Sequence, residues 1–223
     1  MTHAFFLGVD LEERDSAVDA TLTILEKEQE ANAAPTFRLD HARRRAEDTP
    51  DVLADRIQSL VADRPYIGRT NIVVNRSAGP GPVLLDALSD RGLDPIAVTL
   101  TGGSGTVAGE PDEVGVSLGT ADAIRTLAEL HRNGHFIVED HTTEAASHLA
   151  RGLQRAAEVL DEADGNQDTP EAAGSTLEPL GESGPHVVSA ALAAWCGTER
   201  SFDPSQHLKE TPQTRPPGDD RRG

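Results

Sequence analysis

Residues 18–24 alternate strictly, with Val18, Ala20, Leu22 and Ile24 set against Asp19, Thr21 and Thr23. Side chains point to opposite faces with a period of two only along an extended strand. The pattern therefore predicts a half-buried strand. AFFLGVDL, residues 4–11, precedes it as an apolar run of strand length that ends in an acidic residue and a polar turn. PTFRLDHARRRA follows, with Phe37 and Leu39 on one face. Together the three segments predict an antiparallel meander.

The period changes at Thr49-Pro50-Asp51, an N-cap followed by proline at the first helical position. Leu53, Ile57, Leu60 and Val61 then fall on one helical face. Residues 71–74 read as a buried strand. Val83, Leu84 and Leu88 lie on a helix that ends at Gly92, and residues 96–100 read as another strand. Strand, helix, strand, helix, strand in that order implies parallel pairing with right-handed crossovers. The Gly-rich stretch after Gly103 reads as a loop. A helix over 120–133 carries Ile124, Leu127 and Leu130. HFIVED reads as a short strand, and a helix over 144–163 carries Leu149, Leu153, Ala156 and Leu160. The expected organisation is a core over 1–163, a flexible acidic linker over 164–183, a helix over 184–200 packing on the core, and a disordered tail over 201–223. The fold class is α/β, with a mixed sheet, antiparallel meander then parallel strands, flanked by helices.

Aromatic residues make up only 3% of the chain, so the core has to come from Val, Leu, Ile and Ala. The formal charge is -18, and Lys27 and Lys209 are the only lysines among the basic residues. Acid excess, scarce lysine and abundant Ala and Gly look like a protein from a high-salt cytoplasm. An acidic protein from a GC-rich genome has the same features. The acidic balance does not exclude DNA as a partner, because near 1 M salt the Debye length is about 3 Å and net charge says little beyond contact range. A single cysteine, Cys196, rules out an intrachain disulfide and reads as a core thiol. The N-terminus has no basic segment of the signal-peptide kind, and no apolar run approaches the length of a membrane span. The expected location is cytoplasmic, with no membrane partner.

Asp10 ends the first strand. A carboxylate there either ligates a hard divalent cation through oxygen or makes a turn hydrogen bond. Two such cations about 4 Å apart can clamp the attacking and leaving oxygens of phosphodiester hydrolysis. Asp15 reads as a turn residue. The turn RSAGPGP lacks the Gly-Lys-Ser/Thr ending of a phosphate loop and the spacing of a dinucleotide loop. His131, His135, His141 and His148, with Glu139 and Asp140, have the composition of a zinc cluster but not its spacing, since Asn133-Gly134 breaks the helix between the first two. They read as surface or satisfied histidines. Arg43-Arg44-Arg45 is the one basic run; it reads as a contact for a DNA backbone or as a solvated, charge-protected edge.

GVDLEERDSAV, IVVNRSAGPGPVLLDAL, GLDPIAVTLTGG, GTADAIRTLAELHRNGHFIVED and PHVVSAALAAW occur in that order. The ordered set resembles the ribonuclease H-like nuclease domain of phage terminase large subunits over most of residues 4–196. That resemblance implies a ribonuclease H-like sheet and a site where three acidic groups hold two divalent metals, Mg²⁺ or Mn²⁺, to cut packaged double-stranded DNA. It implies a viral or proviral setting and a packaging ATPase as partner; the ATPase half is not in this sequence, so it would be encoded separately. Only Asp10 matches the acidic set. The second position holds Asn75, an amide with an oxygen to offer but no charge. The third falls near Gly184-Pro185, where Glu182 and His186 are the nearby candidates. The lysine that usually opens the later helix is replaced around Gly119-Thr120. One carboxylate and one amide offset little of four positive charges, so the expectation is weak metal binding and a degraded nuclease site. The alternative is a catalytically inactive DNA- or motor-binding module.

Overall fold

In the computed structural model, the described residues are 2–14, 17–29, 33–47, 49–77, 79–102, 106–108, 115–138, 143–164 and 178–199. β1 (Thr2–Arg14), β2 (Ala17–Gln29) and β3 (Thr36–Glu47) form the antiparallel meander that the alternation requires. α1 (Pro50–Ala62) begins at Thr49, whose hydroxyl accepts from the Val52 N–H at 3.3 Å. β4 (Thr70–Asn75), α2 (Gly81–Asp90) and β5 (Ile96–Thr101) follow, with β4 parallel to β1 and β5 parallel to β4. Among the described residues the sheet has eight strands in the order β6-β7-β5-β4-β1-β2-β3-β8. β1 therefore sits centrally, antiparallel to one neighbour and parallel to the other.

The Gly-rich stretch that reads as a loop supplies two of those strands, β6 (Thr106–Ala108) and β7 (Val116–Gly119). β7 pairs in parallel with β5, and β6 pairs antiparallel with β7. Strands of three and four residues are too short to register a period. β7 takes its place from β5, an element outside the segment, and β6 in turn pairs on β7. α3 (Thr120–Arg132) and β8 (Phe136–Ile137) follow; β8 adds to the far edge, parallel to the start of β3.

Two cores form, one on each sheet face. Phe5, Leu7, Val9, Leu22 and Ile24 pack against α1 and α2. Phe6, Leu25, Phe37, Val73 and Val98 pack against α3, α4 (Glu144–Asp164) and α5 (Gly184–Glu199). α5 lies against β1, β2 and β4 on one side and against α3 and α4 on the other. Residues 184–197 are all buried, which is why this helix reads as apolar all round. α5 is thus packed on the sheet and on its two neighbouring helices. Residues 165–177 of the expected linker and 201–223 of the expected tail lie outside the described residues. Residues 178–183, the last part of the expected linker, form a 3₁₀ segment instead, because Leu180 is apolar and buried against α4 and α5.

β2 is not half-buried. Thr21 and Thr23 are as buried as Leu22 and Ile24, since α5 covers their face. Thr23 and Ser189 share a hydrogen bond of 2.7 Å between their hydroxyls, so the polar side of the alternation is satisfied from the helix. Lys27 is buried on β2, and its Nζ donates to the Gly197 carbonyl at 2.7 Å. It caps the last turn of α5, where carbonyls lack helical partners and a cation is favoured.

The docking of α5 depends on Gly8. A Cβ built there would lie 1.9 Å from the Ser189 carbonyl oxygen and 3.1 Å from the Ala193 nitrogen. Both contacts are backbone, so no rotamer change relieves them. Gly8→Ala is expected to lower unfolding stability by about 3 kcal/mol or more, while Gly102→Ala, which meets nothing, stays near wild type. Urea titration followed by circular dichroism compares the two.

Candidate functional site

β1 and β4 run in parallel with Val9 opposite Val74, so Asp10 and Asn75 come next, side by side at the carboxyl ends of the two strands. In open α/β sheets that end is where ligands are bound. Asn75 Nδ2 donates to Asp10 Oδ1 at 2.8 Å, and the Ser77 N–H donates to Asn75 Oδ1 at 3.0 Å. These partners fix the amide's orientation, because a carboxylate only accepts and a backbone N–H only donates. Both side chains are buried, at 7% and 8% exposure.

The turn after Asn75 is a connection. The Ser77 hydroxyl donates to the Leu100 carbonyl at 3.2 Å and accepts from the Leu100 N–H at 2.6 Å, tying the corner to β5. A Cβ at Gly81 would fall 2.7 Å from both Arg76 Cα and the Asn75 carbonyl oxygen, so the chain turns there only with glycine.

Burial raises the Asp10 carboxyl from its ordinary 3.8 to about 6, against the Asn75 hydrogen bond, with Glu12 adding to the rise. Asp10 is thus a carboxylate held in a poorly solvated place with neutral donors, the Asn75 amide and the Leu11 backbone N–H. Glu12 lies two residues further along the same face of β1 and opposite Asp19 on β2. Arg44, on β3 opposite Thr21, donates to Asp19 Oδ2 through Nη2 at 2.8 Å and through Nε at 3.2 Å. Its Nη2 also donates to Glu12 Oε2 at 2.8 Å.

The basic run is therefore split by the strand's alternation. Arg44 is turned inward to two carboxylates, whereas Arg43 and Arg45 are exposed. Arg44, Glu12 and Asp19 carry no motif in the sequence; only the register of three strands brings them together. A β2–β3 pairing guess that set Thr21 against Arg44 could have found them.

Glu182 is exposed, while His186 is buried in the first turn of α5. His186 stacks on His148 of α4, with ring centroids 5.5 Å apart and 18° between planes. Among the described residues, no three His, Cys, Asp or Glu side chains converge to hold a metal ion. Asp10 and Asn75 are brought together, and Glu182 and His186 do not complete a cluster with Asp10. Asp15, Glu139, Asp140 and His141 lie outside the described residues. Cys196 is buried in the core as expected. No helix among the described residues is long and apolar enough to cross a membrane.

The Asp10 carboxyl can exchange a proton near pH 6, and toward a cation the pair offers one carboxylate and one neutral amide oxygen. A cleft of about 560 Å³ opens at the other end of the sheet, lined by Tyr66, Ile67, Asn71, Leu93 and Ile96. It begins where β4 and β5 begin and does not include Asp10 or Asn75. No protein-family model, curated protein or solved structure matches the chain.

The folded-state value for Asp10 lies above the unfolded one, so the native state holds a proton that the unfolded chain has released. The stability from this group is present below pH 3.8 and is lost as pH rises through about 6. The loss amounts to about 3 kcal/mol at most. Asp10→Asn keeps an acceptor for Asn75 and carries no charge. Its stability relative to wild type is expected to grow from pH 4 to pH 7, and chemical unfolding across that range measures it.

Proposed function

We propose that this chain is a ribonuclease H-like domain related to terminase nuclease domains, in which a hydrogen bond stands where a divalent metal would be held, and that it serves as a DNA- or motor-binding module. Three antiparallel strands, a helix and a parallel strand-helix-strand unit support the ribonuclease H-like reading. The observation that carries the loss of chemistry is the double engagement of the Asn75 amide. Its nitrogen occupies Asp10 Oδ1 and its oxygen is taken by the Ser77 N–H. Toward a cation the pair offers only one carboxylate charge and one neutral oxygen. Hard cations are held by several oxygen ligands and by carboxylate charge.

The partners this reading implies are double-stranded DNA and a packaging ATPase. Arg43 and Arg45, exposed on the β3 strand, are the groups that would meet phosphates. Backbone contacts of this kind position a duplex without reading its sequence.

One observation favours an enzyme instead. The raised Asp10 carboxyl is short of positive charge, and Mg²⁺ or Mn²⁺ would supply it. Under that reading the site cuts DNA weakly, with Asp10 as the surviving ligand and Asn75 assisting through its oxygen.

Plasmid cleavage in molar KCl with Mn²⁺ separates the two, using wild type, Asp10→Ala and Asn75→Asp alongside duplex binding by fluorescence anisotropy. The expected result is no cleavage by wild type, retained duplex binding, and cleavage or Mn²⁺-dependent stabilisation only in Asn75→Asp. Wild-type cleavage that disappears in Asp10→Ala would instead establish the enzyme. Absence of duplex binding in all three proteins would remove DNA as the partner.

A further inference from the structure

The cleft at the far end of the sheet from Asp10 and Asn75 comes from a stagger in strand register. β4 pairs with β1 from Thr70 onward, but with β5 only from Val73, opposite Ile96. β5 in turn pairs with β7 only from Val98. Each strand starts short of its neighbour, and the steps leave a hollow bounded by the end of α1 and the 63–69 connection. Its volume of about 560 Å³ is that of a small-molecule site.

Charged residues make up 26% of the chain, yet among the described residues that line the cleft only Asp94 is charged. Val61, Ile67, Leu93, Ile96 and Val116 give it apolar walls, and Ile67 is 58% exposed. Contiguous apolar surface held open to water in a concave place marks a ligand-binding groove.

The polar side chains of the lining are already engaged as donors. Thr70 Oγ1 donates to the Tyr66 carbonyl at 2.9 Å, the Tyr66 hydroxyl donates to Asp40, and Gln58 Nε2 donates to the Arg91 carbonyl at 3.1 Å. What these three side chains chiefly have left is oxygen lone pairs, and Asp94 adds a carboxylate. The Arg91 guanidinium is turned to Asp51 and Asp55. Arg76 Nη1 comes near Gly115, where it would lie 3.4 Å from a Cβ, beside Ala97. Asp94 is three residues before Ala97, about 10 Å back along extended backbone. An apolar cleft with oxygen acceptors and one carboxylate selects a positively charged donor and rejects an anion.

We propose that this cleft binds a small organic ammonium, an apolar body carrying one amine, with the body against Val61, Ile67, Leu93 and Ile96 and the ammonium on Asp94. The site is separate from Asp10 and Asn75 and stands whether or not those residues hold a metal.

Three naphthalene probes that differ in charge test the site: 1-naphthylmethylammonium, 1-naphthylmethanol and 1-naphthoate. Each is titrated into the full chain in molar KCl, where attraction from the net charge is screened beyond contact range, and followed by ¹H–¹⁵N amide shifts. The ammonium is expected to bind roughly threefold tighter than the alcohol, and the carboxylate more weakly than both. Saturable shifts should fall on Ile67, Leu93 and Ile96. Asp94→Asn, at an exposed position, should bring the ammonium level with the alcohol and leave alcohol binding unchanged. Ala62→Trp, at the exposed end of α1 in the lining, should fold by circular dichroism and weaken the ammonium and the alcohol together. The proposal is overturned if no probe gives saturable shifts at the lining amides, if the carboxylate binds as tightly as the ammonium, or if the preference for the ammonium survives in Asp94→Asn.

Discussion

The close approach of α5 to β1 is the contact on which the rest of the structure depends. Gly8 lets the helix backbone lie against the centre of the sheet, and the small residues of α5 let β2, α3 and α4 close around it. A helix buried along residues 184–197 has little solvent to satisfy its polar groups. Lys27 answers one end from the sheet, and Ser189 is bonded to Thr23 in the middle. In a chain this poor in aromatics, such backbone proximity replaces the bulk that large rings would otherwise provide.

The same geometry sets the electrostatics of the candidate site. Asp10 follows Gly8 on the same face of β1, so tight packing at one residue is followed by a buried carboxylate two residues on. The chain does not match that carboxylate with a second one. It places an amide at 2.8 Å, which lowers the charge to be offset, and Arg44 is directed to Glu12 and Asp19. What remains is a site with an unmet preference for protons or cations and a neutral group standing in the way. A protein with formal charge -18 can carry many carboxylates on its surface. A single one out of water is a different matter, because desolvation and not net charge decides its ionisation.

Legibility followed the range of the interaction concerned. The alternation at 18–24, the Thr49-Pro50 start and the apolar runs at 71–74 and 96–100 are local signals, and the elements they predict are present. The link between Asp10 and Asn75 came only from the resemblance to terminase nuclease domains; the residues themselves show only that each ends an apolar strand. β6 and β7 were not legible, since strands of three and four residues exist only through a neighbour's hydrogen bonds. The burial of Thr21 and Thr23 was hidden for a related reason. Threonine reads as polar along the chain, and a helix more than 160 residues later makes it interior. His148 read as a surface or satisfied histidine and His186 as a candidate ligand beside Asp10, and nothing in the sequence paired the two.

By itself, the sequence determined the order and type of the main elements, an aliphatic core, and a carboxylate at the end of the first strand. These follow from backbone periodicity and side-chain chemistry, which act over a few residues. The tertiary structure alone decided that both faces of β2 are buried, that Arg44 belongs to Glu12 and Asp19, and that the Asn75 amide is spent on Asp10 and Ser77. It also decided that two distant imidazoles meet with their nitrogens unpaired. Those outcomes depend on register and on helix docking, and neither is fixed until the sheet and α5 close on each other.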